Sequence, residues 1–114
     1  MNALPTPVRS VLHAIGRTPV VQLQRIVSPQ CAEVFIKLEY FNPTGSYKDR
    51  MALAMIEGAE RRGALRPGMR VVEYTGGSTG SSLAMVCAMK GYVFHRSRAR
   101  PRGSSRSSRR RRRF

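Results

Sequence analysis

An α/β fold built on parallel strands is the expectation from this sequence, and three observations lead to it. Two runs rich in branched and aromatic residues, 34–40 and 70–74, have strand character. Each is followed by a run with helical character, residues 46–62 and 81–90. A short turn or glycine-rich segment joins each strand to its helix: Pro43-Thr44-Gly45 in the first case, Thr75-Gly76-Gly77-Ser78-Thr79-Gly80 in the second. Strands that alternate with helices pack as layered α/β units with right-handed crossovers.

Taken in order, Val8, Val11 and Leu12 suit one turn of a short helix, and Ile15-Gly16-Arg17-Thr18-Pro19 is a turn punctuated by Gly and Pro. Val20-Val21-Gln22-Leu23 is a short strand candidate, and Ser28-Pro29 marks another turn. The strand at 34–40 is stopped by Pro43-Thr44-Gly45, after which Ser46 is the expected N-cap of the first helix. Met51, Ala52, Met55, Ile56 and Ala59 share one face of that helix, and Gly63 is its expected end. Pro67-Gly68 turns the chain into the strand at 70–74. The second helix is closed by Gly91, and Val93-Phe94-His95 has the character of a further strand start.

The charge is unevenly placed. Of the net +15, residues 1–92 supply +5 and residues 93–114 supply +10, because the latter hold ten arginines and no acid. The expected organisation is therefore one α/β unit over 1–92 and a disordered Arg/Ser-rich tail over 93–114, too poor in apolar residues to build a core. An Arg/Ser/Pro/Gly mixture is also what GC-rich coding gives in a wrong reading frame. The alternative role for such a tail is non-specific nucleic-acid binding through phosphates. Cys31 and Cys87 lack metal-ligand spacing, so no metal site is expected, and both are expected to be buried free thiols in a reducing, cytoplasmic setting. Neither a signal-peptide core nor a membrane-spanning run is evident.

Two stretches carry chemistry. Lys48 falls in the first turn of a helix just after a strand, where the macrodipole disfavours a cation. Positive potential there favours the neutral amine, the form that attacks a carbonyl. By itself the stretch also suits a solvated Lys48 with Asp49 and Arg50 as ordinary surface charge. The second stretch, 75–80, offers hydroxyls, backbone amides and a helix N-terminus together, which suits a carboxylate or a phosphate. No lysine follows its glycines, so it is not a P-loop, and Gly76, Gly77 and Gly80 do not have the dinucleotide spacing.

Asn42-Pro43-Thr44-Gly45-Ser46-Tyr47-Lys48-Asp49-Arg50 resembles the cofactor-lysine motif of the cysteine synthase and cystathionine β-synthase family, pyridoxal-phosphate enzymes of the tryptophan-synthase-β fold type. Ile15-Gly16-Arg17-Thr18-Pro19 with Leu23 is similar to that family's N-terminal signature. Thr75 to Gly80 is similar to its substrate-carboxylate loop, commonly Thr-Ser-Gly-Asn-Thr-Gly. The resemblance covers about residues 8 to 95, three motifs in the family's order.

The resemblance implies a partial, truncated form of that three-layer parallel-sheet fold, with pyridoxal 5'-phosphate as cofactor. It implies that Lys48 links covalently to the cofactor and later moves the substrate α-proton. By the same resemblance, Thr75, Gly76, Ser78 and Thr79 would hold the substrate α-carboxylate, Ser78 would also bind the cofactor, and Asn42 would support the lysine turn. The implied reaction is β-replacement or β-elimination on an activated serine such as O-acetylserine, with sulfide or a thiol as acceptor. Full-length relatives are expected to be homodimers. There are two departures. Ser78 replaces the usual Asn, and the second domain, with its glycine-rich phosphate cup, has no counterpart here. Weak cofactor binding and little turnover are therefore expected from this chain alone.

Overall fold

The computed structural model describes residues 7–97. The chain runs through a 3-10 turn at Val11–Ala14, strands β1 (Val20–Gln22) and β2 (Phe35–Lys37), and a second 3-10 turn at Glu39–Phe41. Helix α1 (Lys48–Arg61), strand β3 (Arg70–Tyr74), helix α2 (Ser78–Lys90) and strand β4 (Val93–Ser97) follow. The expected disordered tail and the nucleic-acid contact assigned to it fall, from residue 98 onward, outside the described residues.

The α/β class and the parallel pairing are present in the second half. β3 and β4 pair parallel, with Val71 opposite Phe94 and Val72 opposite His95. A parallel pair needs a crossover, and α2 supplies it. β4 carries ordered chain five residues past the boundary expected at residue 92. The first half departs from expectation. β2 does not join β3; it pairs antiparallel with β1, with Val21 opposite Ile36, so the strands form two separate two-stranded sheets.

The strand expected over 34–40 is also cut short. The Asn42 backbone N–H and its Nδ2 both donate to the Glu39 carbonyl, at 3.2 and 2.7 Å. Those bonds curl Glu39–Phe41 into a 3-10 turn before Pro43 can end the strand. Helix α1 begins at Lys48, two residues later than expected, and the Ser46 hydroxyl accepts the Lys48 N–H at 3.1 Å from just outside it. Helix α2 begins three residues earlier than expected, at Ser78, because Gly77 stands outside the helical conformation as its N-cap and the Gly80 N–H already closes onto the Gly77 carbonyl at 3.0 Å.

Both helices end in the same hydrogen-bond pair. Ala64 N–H reaches Ala59 O while Gly63 N–H reaches Glu60 O, and Tyr92 N–H reaches Cys87 O while Gly91 N–H reaches Ala88 O. This is the Schellman arrangement, and it satisfies carbonyls that the helix itself leaves open. The core lies between the two helices and under the β3–β4 sheet. Ala52 and Ile56 of α1 meet Leu83, Val86 and Cys87 of α2, with Leu12, Ile15, Val71 and Phe94 packed around them. Cys87 is buried as expected, but Cys31 is exposed, because its loop lies away from this core. Among the described residues no helix is long and apolar enough to cross a membrane.

Candidate active site

The site is assembled by three stretches far apart in the chain. The first link joins the 15–19 turn to the lysine turn. Asn42 is buried; its Oδ1 accepts the Gly16 N–H at 2.8 Å, and its Nδ2 donates to Glu39 Oε2 at 2.9 Å. Thr18 donates its hydroxyl to Glu39 Oε1 at 2.6 Å. Arg50, in the first turn of α1, grips the same carboxylate. Its guanidinium, the Thr18 hydroxyl and the Asn42 amide together hold the Glu39 carboxyl at about 2, well below the usual carboxylate range.

The second link joins the lysine turn to α2. Asp49 is fully buried, so the expectation of a surface charge there fails. Its Oδ2 accepts the Thr44 N–H at 2.8 Å, and its Oδ1 accepts the Ser82 hydroxyl at 2.6 Å. The Thr44 hydroxyl also bonds Oδ1 and stands 3.3 Å from the Ser82 hydroxyl. Arg50 is not free surface charge either, being spent on Glu39.

Lys48 is the first residue of α1 and is half-buried, with its Nζ 4.4 Å from the centroid of the Tyr47 ring. The chain's other lysines are engaged. Lys37 Nζ donates to the Thr18 carbonyl at 3.0 Å, and Lys90 Nζ contacts Glu60 at 2.8 Å and Glu57 at 3.4 Å. Among the described residues, Lys48 is the one lysine whose amine has no hydrogen-bond or ion-pair partner.

The glycine-rich stretch divides into two parts. Thr75 follows β3 directly; its N–H donates to the Ser97 carbonyl at 3.3 Å and its Oγ1 accepts the Gly77 N–H at 3.4 Å. Gly76 is exposed in the loop. Ser78, exposed, and Thr79, half-buried, are the first two residues of α2. No side chain caps α2, and while the Gly80 N–H is taken by the Gly77 carbonyl, the Ser78 and Thr79 amides ahead of it are the ones placed to meet an anion. Ser78 and Thr79 lie four and three residues before Ser82, on one face of the helix. The Asp49–Ser82 bond therefore sets that face against the start of α1.

Sequence reasoning passed over Asp49, Ser82, Thr44 and Glu39 as contributors to this site. The signal was slight: a carboxylate two residues inside a helix, and a serine within an apolar helical run.

Lys48 thus stands half-buried at the start of α1, without a hydrogen-bond or ion-pair partner among the described residues, and its neighbour Asp49 bonds to α2, whose N-terminus no side chain caps. Residues 11–109 match the pyridoxal-phosphate dependent enzyme family, and the chain belongs to that family. It is 57% identical over 86 residues to a cysteine synthase of Staphylococcus aureus (strain Mu50 / ATCC 700699), covering 75% of this chain and 28% of the relative. It is 52% identical over 85 residues to an O-ureido-L-serine synthase of Streptomyces lavendulae, covering 75% of this chain and 26% of that protein. The chain thus spans little more than a quarter of the curated relatives it matches.

Among solved structures, a hydrogen sulfide-producing enzyme from Fusobacterium nucleatum aligns with a TM-score of 0.76 at 40% identity, over 83% of this chain and 31% of that one. An O-ureido-L-serine synthase aligns with a TM-score of 0.74 at 47% identity, over 82% of this chain and 29% of that one. These neighbours bear out the partial tryptophan-synthase-β-like fold class.

Proposed function

We propose that this chain carries the lysine and the carboxylate-binding part of a cysteine-synthase-like site. Its reaction class is β-replacement or β-elimination on an activated serine, with sulfide or another thiol as acceptor. The observation that carries this reading is the Lys48 amine, the one lysine side chain left without a polar partner among the described residues, at the start of α1.

The residues present fit pyridoxal phosphate in part. An amine without a polar partner suits an aldehyde-bearing group, and the open amides of α2 suit an anion. When bound, pyridoxal phosphate supplies the electron sink that lets an amino acid lose its α-proton and its β-substituent. In this reading Lys48 holds the cofactor and takes or returns the proton at its Nζ. The hydroxyls of Thr75, Ser78 and Thr79 and the amide of Gly76 bind the α-carboxylate and orient the substrate. Ser78 is shorter than asparagine and reaches a neighbouring group only through water or a shifted loop. Cytoplasmic placement belongs to the same proposal, as does homodimer formation by full-length relatives.

The experiment is a pyridoxal phosphate titration of the purified chain, followed by borohydride reduction and peptide mapping. A saturable visible absorption band, trapped on Lys48 and lost in Lys48→Ala, is the expected result. Indiscriminate labelling of amines with no saturable band overturns the proposal.

A further inference from the structure

Lys48 stands on α1 while Ser78 and Thr79 stand on α2, and the Asp49 carboxylate bridges the two helices. Asp49 is fully buried and accepts from Thr44 in the lysine turn and from Ser82 in α2. Among the described residues no cation pairs with it, and all its donors are neutral. Burying a carboxylate is costly unless donors surround it, and an apolar residue would fill a purely structural site at less cost. What this arrangement gives, and an apolar residue does not, is direction. Hydrogen bonds from two elements to one rigid group fix how those elements sit. Asp49 adjoins Lys48, and Ser82 shares a helix face with Ser78 and Thr79.

We infer that Asp49 is a positioning residue: through Ser82 it sets where the Lys48 amine stands against the N-terminus of α2. The inference rests on the function proposed above, and it adds a requirement that function does not contain. Lys48 must depend on a serine on another helix, 33 residues away from Asp49 in sequence.

The test uses the full chain with pyridoxal phosphate as the probe and borohydride as the trap. Label on Lys48 is compared with label on Lys37 and Lys90 in the same sample. In the wild-type chain Lys48 carries most of the label. Asp49→Asn and Ser82→Ala are expected to cut the Lys48 share at least threefold, with far-UV circular dichroism and the labelling of Lys37 and Lys90 unchanged. Ser82→Thr, which keeps the hydroxyl, restores the share.

A merely structural role gives the opposite pattern, because loosening the fold frees Lys37 and Lys90 from their partners and raises their label. Where Asp49→Asn fails to fold, the milder Ser82→Ala decides. Unfolding of both variants assigns Asp49 to stability alone and overturns the inference. A wild-type preference for Lys48 that both variants keep overturns this inference and leaves the proposed function standing. No preference for Lys48 in the wild-type chain overturns both.

Discussion

Arg50 holds Glu39 through two parallel bonds, Nε to Oε2 at 2.8 Å and Nη2 to Oε1 at 2.9 Å. Such a paired grip is among the stronger ion-pair geometries because both donors are fixed in one plane. It ties α1 to the turn before the lysine motif, and through Thr18 and Asn42 to the turn at 15–19.

This pair makes stability depend on acid. The folded-state pKa of Glu39 is about 2, against 4.5 for the free group. A lowered folded pKa means the contribution is present above the unfolded value and is lost as pH falls through the folded one. Glu60 is lowered too, chiefly by its bond to Lys90, and acts in the same direction. Urea midpoints measured from pH 6 down should therefore fall across the window from about 4.5 to about 2. Glu39→Gln should lower the midpoint at neutral pH and flatten the decline, leaving the share that belongs to Glu60. Equal slopes in the two proteins would remove Glu39 from the account.

Gly16 makes room for the same guanidinium. Its φ is +87°, and a Cβ built there would lie 2.8 Å from Arg50 Nη1. Gly16→Ala therefore meets a backbone penalty of about 1–2 kcal/mol. It must also push Arg50 away from its place beside Glu39. The expected outcome is a lower urea midpoint together with a weaker acid dependence, since the Glu39 carboxyl loses part of what holds it down. An acid profile identical to wild type would show that Arg50 adjusts without releasing Glu39.

Much of this architecture was legible in the sequence because it rests on local pattern. The strand at Arg70–Tyr74 and the ends of both helices follow from branched residues and from glycines placed just past helical runs. The features that local pattern missed are set at long range. β1 and β2 are three residues each and exposed along their length, so no alternation marks which strand they pair with. Asp49 beside Lys48 and Arg50 looks like surface charge until Ser82 is brought to it by packing of α1 on α2. The first turn of α2 holds Ser78, Thr79 and Gly80, weak helix formers that belong equally well to a loop. The Gly80 N–H bond to the Gly77 carbonyl is what draws them into the helix, and nothing in the residue types announces it.

Leu83 is the largest side chain in the fully buried set, at the α1–α2 interface and under the β3–β4 sheet. Only five hydrophobic residues of the described chain are buried: Ala52, Ile56, Leu83, Val86 and Cys87. Truncating a buried leucine costs about 2–5 kcal/mol through lost transfer energy and the cavity left behind. With so small a core, Leu83→Ala is expected to abolish cooperative unfolding, seen as a sloping thermal melt in place of a sigmoid. A retained sigmoid, shifted by a few degrees, would mean that the fold draws its stability from elsewhere.

Gly80 poses a contest between two effects of opposite sign. Inside a helix, alanine is better than glycine by about 1 kcal/mol. A Cβ at residue 80, however, would lie 2.7 Å from Thr75 Cγ2 and 3.1 Å from Arg96 Cδ. The Arg96 side chain is long enough to swing aside. Thr75 is not, because it is β-branched and its N–H is bonded to the Ser97 carbonyl. Overpacking of this kind costs about 1–3 kcal/mol, which outweighs the propensity gain. Gly80→Ala should therefore lower the urea midpoint, and Thr75→Ser, which removes the clashing methyl, should recover most of the loss in the double variant. If Gly80→Ala is instead more stable than wild type, helix propensity governs this turn and the close approach to Thr75 does not constrain it.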